Sequence, residues 1–198
     1  MIKTFLLIGL TLVFMMVDNG LCFSKERKFI RIIANTNQKT QQDTLSYSYL
    51  INKVKEKVGT VAPNWTLVDL NGNSFASKNL IGKPILLEFW STGCGACIKV
   101  AKDISKIDSS FRTKGLVVIP IESDKVFDEE KVRSFTEQRG IYKNTLVNGF
   151  AVSKDFNQKA YPTFFLIDKT GKIVFAHIGW LYGDTKDKLI SEIEKITN

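Results

Sequence analysis

The 198 residues allow one domain with a leader and an extension, and the 44% apolar share supports an ordinary core without disulfide stapling. Three cysteines are too few for a disulfide scaffold, and a single histidine excludes a multi-histidine metal site. The net charge of +8 is concentrated in Lys25–Lys57, where eight Lys/Arg face three acids, and no basic motif interleaved with aromatics points to nucleic acid.

Met1–Cys22 begins with one charge, Lys3, continues as an apolar block from Phe5 to Val17, and leaves through Asp18-Asn19-Gly20-Leu21-Cys22. The block has the length of a secretory signal and falls short of the about 20 apolar residues of a membrane span. Gly20 and Cys22 are the small residues that a cut after Cys22 requires, and that cut leaves Cys94 and Cys97 as the only thiols. Two alternatives stand: retention as a membrane anchor, and lipidation of Cys22, for which Leu21 is a poor preceding residue. Residues 23–57 form a basic extension or linker. Its charge reads as solvated, with contact to anionic lipid headgroups as the other reading. Asn35–Asp43 is polar and loop-like. Leu45–Val58 spaces Leu45, Tyr49, Leu50, Val54 and Val58 as a helix does, either packed on the domain or as a spacer.

Residues 58–198 form the main domain. Thr66–Leu70 alternates as a strand, Asn71-Gly72 is a hairpin turn, and Asn73–Phe75 returns. Ile81-Gly82-Lys83-Pro84 turns the chain into an apolar run from Ile85 to Trp90, which reads as a buried central strand. After Ser91–Gly93, Cys94-Gly95-Ala96-Cys97 opens a helical pattern carried by Ile98, Ala101, Ile104, Ile107 and Phe111 to about Arg112. Leu116–Ile121 is a strand, and Asp128–Arg139 a helix stopped by Gly140. Thr145–Val147 is a short strand, and Val152–Phe156 a short helical or irregular piece. Thr163–Ile167, a turn at Asp168–Gly171 and Lys172–Ile178 make a second hairpin. Asp184-Thr185 caps a last helix, Lys186–Ile196. Strand–helix–strand followed by hairpin and helix is an α/β arrangement with a mixed sheet flanked by helices.

The chemistry gathers at the C-x-x-C. Cys94 falls at a helix start, where unpaired amides and the positive helix end favour a thiolate, the form that attacks disulfides. Cys97 lies one turn on, placed to resolve a mixed disulfide. A zinc half-site would need four ligands, and the chain offers only Cys22 and His177 besides the pair. Glu88 is an acid inside an apolar strand, so it must be protonated, paired or functional. Pairing with Lys83 or Lys99 is the structural alternative. Phe89 and Trp90 read as core rather than a cofactor stack, and His177 as an ordinary strand residue. Tyr161-Pro162 precedes an apolar strand, and by frequency alone a trans bond is expected there.

Leu86–Cys97, Gly59–Leu80 and Tyr161–Gly171 together resemble the TlpA/ResA-like group of extracytoplasmic thiol–disulfide oxidoreductases, within the thioredoxin-like superfamily and related to the AhpC/TSA redoxins. The resemblance covers about Val58–Asn198 and leaves Met1–Lys57 unexplained. It implies a thioredoxin-like fold with an added N-terminal β-hairpin. It implies Cys94 as nucleophile, Cys97 as resolving thiol and Glu88 as proton relay. It places a cis bond at Tyr161-Pro162, with the Tyr161 backbone, Pro162 and Trp90 on the substrate side. The chain departs from the group at Ala96, usually proline, at Gly93, usually tryptophan, and at Tyr161, usually smaller.

The expected function is reduction of disulfides in exported proteins, with a role in cytochrome c maturation or redox homeostasis. No cofactor beyond the Cys94–Cys97 pair is expected. A separate thiol electron donor, a membrane-bound one included, must regenerate it. Membrane association through the N-terminus is a further expectation, and a monomer is expected in the periplasm or anchored outside the cytoplasm. Two rivals remain. A peroxiredoxin needs Pro-x-x-x-Thr/Ser-x-x-Cys, and Leu87 stands where the proline belongs. A Sco-like copper module pairs C-x-x-x-C with a distant histidine, and the spacing here is one residue short.

Overall fold

The structure is a computed structural model that describes residues 46–179 and 184–197. The leader, most of the basic extension and Leu45 lie outside the described residues. Helix α1 occupies residues 46–55. The hairpin follows as β1, Thr66–Asp69, and β2, Ser74–Ala76, paired antiparallel around Gly72, whose φ of 81° needs a residue without Cβ. The Asp69 carboxylate accepts the amides of Asn71 and Asn73 and fixes the turn. A 3₁₀ turn at Ser77–Leu80, which no residue pattern marks, leads on to β3.

Strand β3, Ile85–Trp90, is buried at all six positions. It runs parallel to β4, Val117–Glu122, and antiparallel to β6, Thr163–Ile167. Beyond these lie β5, Leu146–Val147, and β7, Ile173–Ile178. The sheet order is β2-β1-β5-β4-β3-β6-β7, a mixed seven-stranded sheet. Pro120 is tolerated inside β4 because β5 pairs with that strand only at Ile121–Leu146.

Alternation along β3 divides the core. Leu87 and Phe89 join Val54, Phe156, Phe165 and Ile178 on one face. Leu86 faces a cluster with Ile104, Ile107, Leu189 and Ile193, and Trp90 a cluster with Cys97, Val132 and Phe135. The first face is covered by α1 and by α4, Phe150–Asp155, through Val54 and Val152. The second is covered by α2, Gly95–Phe111, α3, Glu129–Arg139, and α5, Asp184–Thr197. This is the expected thioredoxin-like arrangement with its added hairpin, and strand ends differ from expectation by a residue or two.

Candidate active site

β3 ends at Trp90, and three residues later the chain enters α2 with Cys94 as its N-cap. The Cys94 sulfur accepts the backbone N–H of Cys97 at 3.0 Å, so it occupies the place where a capping oxygen normally sits. Cys94 and Cys97 are joined as a disulfide with Cα atoms 5.3 Å apart. Their exposures differ in the expected sense: Cys94 keeps 8% of its surface and Cys97 none. Gly93, Gly95 and Ala96 are exposed, and a Cβ at Gly95 would meet no atom within 4 Å, so the rim beside the pair is open.

Glu88 is wholly buried in mid-β3, with Pro120 on one side and Phe164 on the other. Neither Lys83 nor Lys99 is bonded to it. Its Oε1 accepts the hydroxyl of Tyr142 at 2.7 Å, and Oε2 has no partner among the described residues. Burial pushes the carboxyl up from 4.5 to about 8, against the pull of the Tyr142 hydrogen bond. The same Tyr142 hydroxyl lies 2.8 Å from the Cys97 carbonyl oxygen, so the acid sits directly behind the second cysteine. The order of residues gave no signal for Tyr142, which lies 54 positions from Glu88 in a loop-like stretch.

The Tyr161–Pro162 peptide is cis, in agreement with the resemblance and against the frequency argument. The Tyr161 ring packs against the cluster that holds Cys94 and Cys97, and its hydroxyl donates to the Ser123 carbonyl at 2.5 Å. Trp90 requires a correction. It has no exposed surface, stacks on Tyr142 at 4.4 Å and donates its indole N–H to Thr145 at 2.8 Å, so it supports the site from within and offers nothing to a substrate.

A second buried acid went unnoticed in the sequence because it stands at a strand exit. Glu122 pairs with Trp90 in register, and burial raises its carboxyl to about 7. It accepts the Asp124 amide, and Asp124 in turn accepts the amide and hydroxyl of Thr92, two residues before Cys94. His177 is also buried rather than ordinary. Burial lowers it to about 4, and its Nε2 has no partner among the described residues. Pro120, Glu88, Phe164 and His177 form one row across the sheet. Two strand spacings, roughly 10 Å, therefore separate His177 from Glu88, with Phe164 between. A copper site needs ligands converging within bonding distance of one ion, and this row does not bring His177 to the cysteines. Among the described residues no group of three or more His, Cys, Asp or Glu could hold a metal. The peroxiredoxin pattern fails structurally as well: Leu87 is buried in the paired centre of β3, where a proline would break the ladder.

Comparison with known proteins agrees with this geometry. The family model of the AhpC/TSA family matches residues 58–176. A thiol-disulfide oxidoreductase ResA from Bacillus thuringiensis is 32% identical over 155 residues, covering 78% of this chain and 87% of that protein. The crystal structure of the thioredoxin domain of a thiol-disulfide oxidoreductase from Bacteroides vulgatus is similar at a TM-score of 0.59 and 30% identity, over 71% of this chain and 98% of that one. A provisionally assigned thiol:disulfide interchange protein DsbE from Chlorobium tepidum shares the fold, at a TM-score of 0.65 and 23% identity, again over 71% of this chain and 98% of that one.

Proposed function

The chain belongs to the AhpC/TSA family and is a ResA-like thiol–disulfide oxidoreductase acting on protein disulfides, and from that premise we propose that it reduces exported proteins through Cys94, Cys97 and Glu88. The observation that carries the reading is the asymmetry of the pair: one cysteine keeps a small exposed area at a helix N-terminus, and the other is sealed in front of an acid whose pKa burial raises to about 8.

In the reduced protein the Cys94 thiolate, favoured by the amides and dipole of α2, attacks one sulfur of a substrate disulfide. The substrate S–S bond breaks, its other sulfur leaves with the electron pair and takes a proton, and a mixed disulfide forms on Cys94. Glu88 as carboxylate then accepts the Cys97 thiol proton, and Cys97 attacks the Cys94 sulfur. The Cys94–Cys97 disulfide forms and the second substrate sulfur departs reduced. The Tyr161 backbone beside Pro162 pairs with the substrate chain, as the resemblance implies. A separate dithiol donor restores the pair. Export rests on the Met1–Cys22 leader, and membrane contact on that leader and the basic stretch behind it. Among the described residues no helix is long and apolar enough to cross a membrane.

The test is the reduction potential of the pair by equilibration with dithiothreitol. A value at or below about −270 mV supports a reductase, and one near about −120 mV would make the protein a disulfide-forming oxidant. Cys97→Ala is expected to trap a mixed disulfide at Cys94 with the native partner. Disulfide reduction surviving in Cys94→Ala would refute the mechanism. Mass spectrometry of the native N-terminus tests export, since an intact Met1 on a cytosolic protein would contradict it.

A further inference from the structure

We infer that Tyr142 is a positioning residue of the redox reaction: its hydroxyl holds the Glu88 carboxyl against the first turn of α2 and switches its hydrogen bond between Glu88 and the Cys97 carbonyl as Glu88 gains or loses a proton. The inference deepens the reading of Glu88 as the base for Cys97 and rests on it.

The hydroxyl lies 2.7 Å from Glu88 Oε1 and 2.8 Å from the Cys97 carbonyl oxygen. A phenol has one proton to donate, so it serves one of these acceptors at a time. When Glu88 is ionised the proton goes to the carboxylate, because a charged acceptor makes the stronger bond. When Glu88 is protonated its own O–H donates to the Tyr142 oxygen, and the tyrosine proton turns to the Cys97 carbonyl. Each state leaves the hydroxyl satisfied. The thiol proton ends on Glu88, Tyr142 keeps its own proton throughout, and no electron moves in the switch.

The protein invests in holding this ring. Tyr142 has φ of 53°, an uncommon conformation for a residue with a side chain. Its ring stacks on Trp90 with planes 16° apart, and its carbonyl accepts the amide of Thr145, the residue that also binds the Trp90 indole. The neighbours of Glu88 on β4 and β6 are Pro120 and Phe164, which carry no charge. The titratable group bonded to Glu88 is therefore Tyr142, from the turn after α3. Cys97, from α2, joins it through its carbonyl, and His177 stands two strands along the same row, beyond Phe164. Burial and the Glu88 charge both raise the Tyr142 phenol, so it stays protonated and can act only as a hydrogen-bonding switch.

The test is the pH dependence of the Cys94–Cys97 potential in wild type, Tyr142→Phe, Glu88→Gln and the double variant. Phenylalanine keeps the ring stacked on Trp90 and removes the hydroxyl alone. The thiols of the reduced pair bend the profile in every variant; because Glu88 exchanges its proton with Cys97, wild type is expected to carry one further bend near pH 8, and that one should vanish in Glu88→Gln. In Tyr142→Phe the bend should move up by about one pH unit, because the carboxylate has lost the bond that stabilised it. The double variant should match Glu88→Gln. A Tyr142→Phe bend that stays at the wild-type pH, whatever the melting temperature does, would overturn the inference. A profile shifted equally with Glu88 absent would overturn it too. Carbon-13 NMR of the unaltered protein makes the test independent of any variant folding: the Tyr142 ζ carbon must titrate with the same midpoint as the Glu88 carboxyl carbon, and a flat Tyr142 signal refutes the switch. If wild type and Glu88→Gln give the same profile, the Glu88 base reading itself fails and this inference falls with it.

Discussion

Glu88 has backbone partners on both sides and no exposed surface. Its pH behaviour is therefore a property of the folded state. The folded carboxyl titrates at about 8 and the unfolded one near 4.5. Between these values the folded chain keeps a proton that the unfolded chain has lost, so stability falls as pH rises through that window. Glu88→Gln should remove this loss, leaving the oxidised variant more stable than wild type at pH 9 by a few kcal/mol, at about 1.4 kcal/mol per pKa unit. Denaturant midpoints from pH 4 to 9, taken on oxidised protein so that neither Cys94 nor Cys97 titrates, check it. Parallel curves for the two proteins would show that Glu88 titrates normally. The acid was legible as an anomaly in an apolar strand, but its partner was not. Tyr142 follows Gly140 in a stretch that reads as loop, and only the packing of Trp90 and the turn after α3 brings its hydroxyl to β3.

Among the elements, β3 and α2 were the most legible, because an apolar run, a short turn and a helical repeat each constrain few alternatives. The hairpin at Asn71-Gly72 was legible for the same reason. The junction between β4 and α4 was not. Gly149, the residue before α4, donates its amide to the Glu122 carbonyl at 2.8 Å. Its φ of −81° suits any residue, so space rather than conformation selects glycine. An added Cβ would lie 2.2 Å from the Ile121 side chain and 2.9 Å from the Glu122 carbonyl oxygen. Gly149→Ala should cost about 1–3 kcal/mol through overpacking and lower the melting temperature by several degrees. It should also disturb the Glu122–Asp124–Thr92 chain that reaches the turn before Cys94. Calorimetry and the rate of disulfide reduction measure the two effects, and an unchanged melting temperature would show that β4 yields freely.

At the scale of the whole molecule, the family match begins at residue 58, whereas the packed structure begins earlier. Val54 on α1 is fully buried among Trp65, Phe156 and Ile173, and Asn157 donates to the Lys53 carbonyl at 3.1 Å. α1 thus completes one face of the core, and the helical spacing around Val54 was the trace of this in the sequence. Val54→Ala should cost about 2 kcal/mol by cavity formation while leaving the potential of the pair unchanged, since the helix covers the face opposite Cys97. Chemical denaturation and dithiothreitol equilibration read the two quantities separately. A shifted potential would mean that the two faces of the sheet are coupled.

The unequal exposure of the two sulfurs also bears on damage. A peroxide that reaches the protein meets Cys94 and finds Cys97 sealed. Oxidation of the Cys94 thiolate gives a sulfenic acid, which further peroxide would carry irreversibly to sulfinic acid. Cys97, one turn away and able to reach Cys94 as the disulfide shows, condenses with the sulfenic acid, forming the disulfide and releasing water. The catalytic couple is then its own safeguard: an oxidant's attack ends in the ordinary resting disulfide, which the electron donor can reduce again. Peroxide treatment of the reduced protein should yield the disulfide mass, and sulfinic acid at Cys94 should accumulate only when Cys97 is replaced.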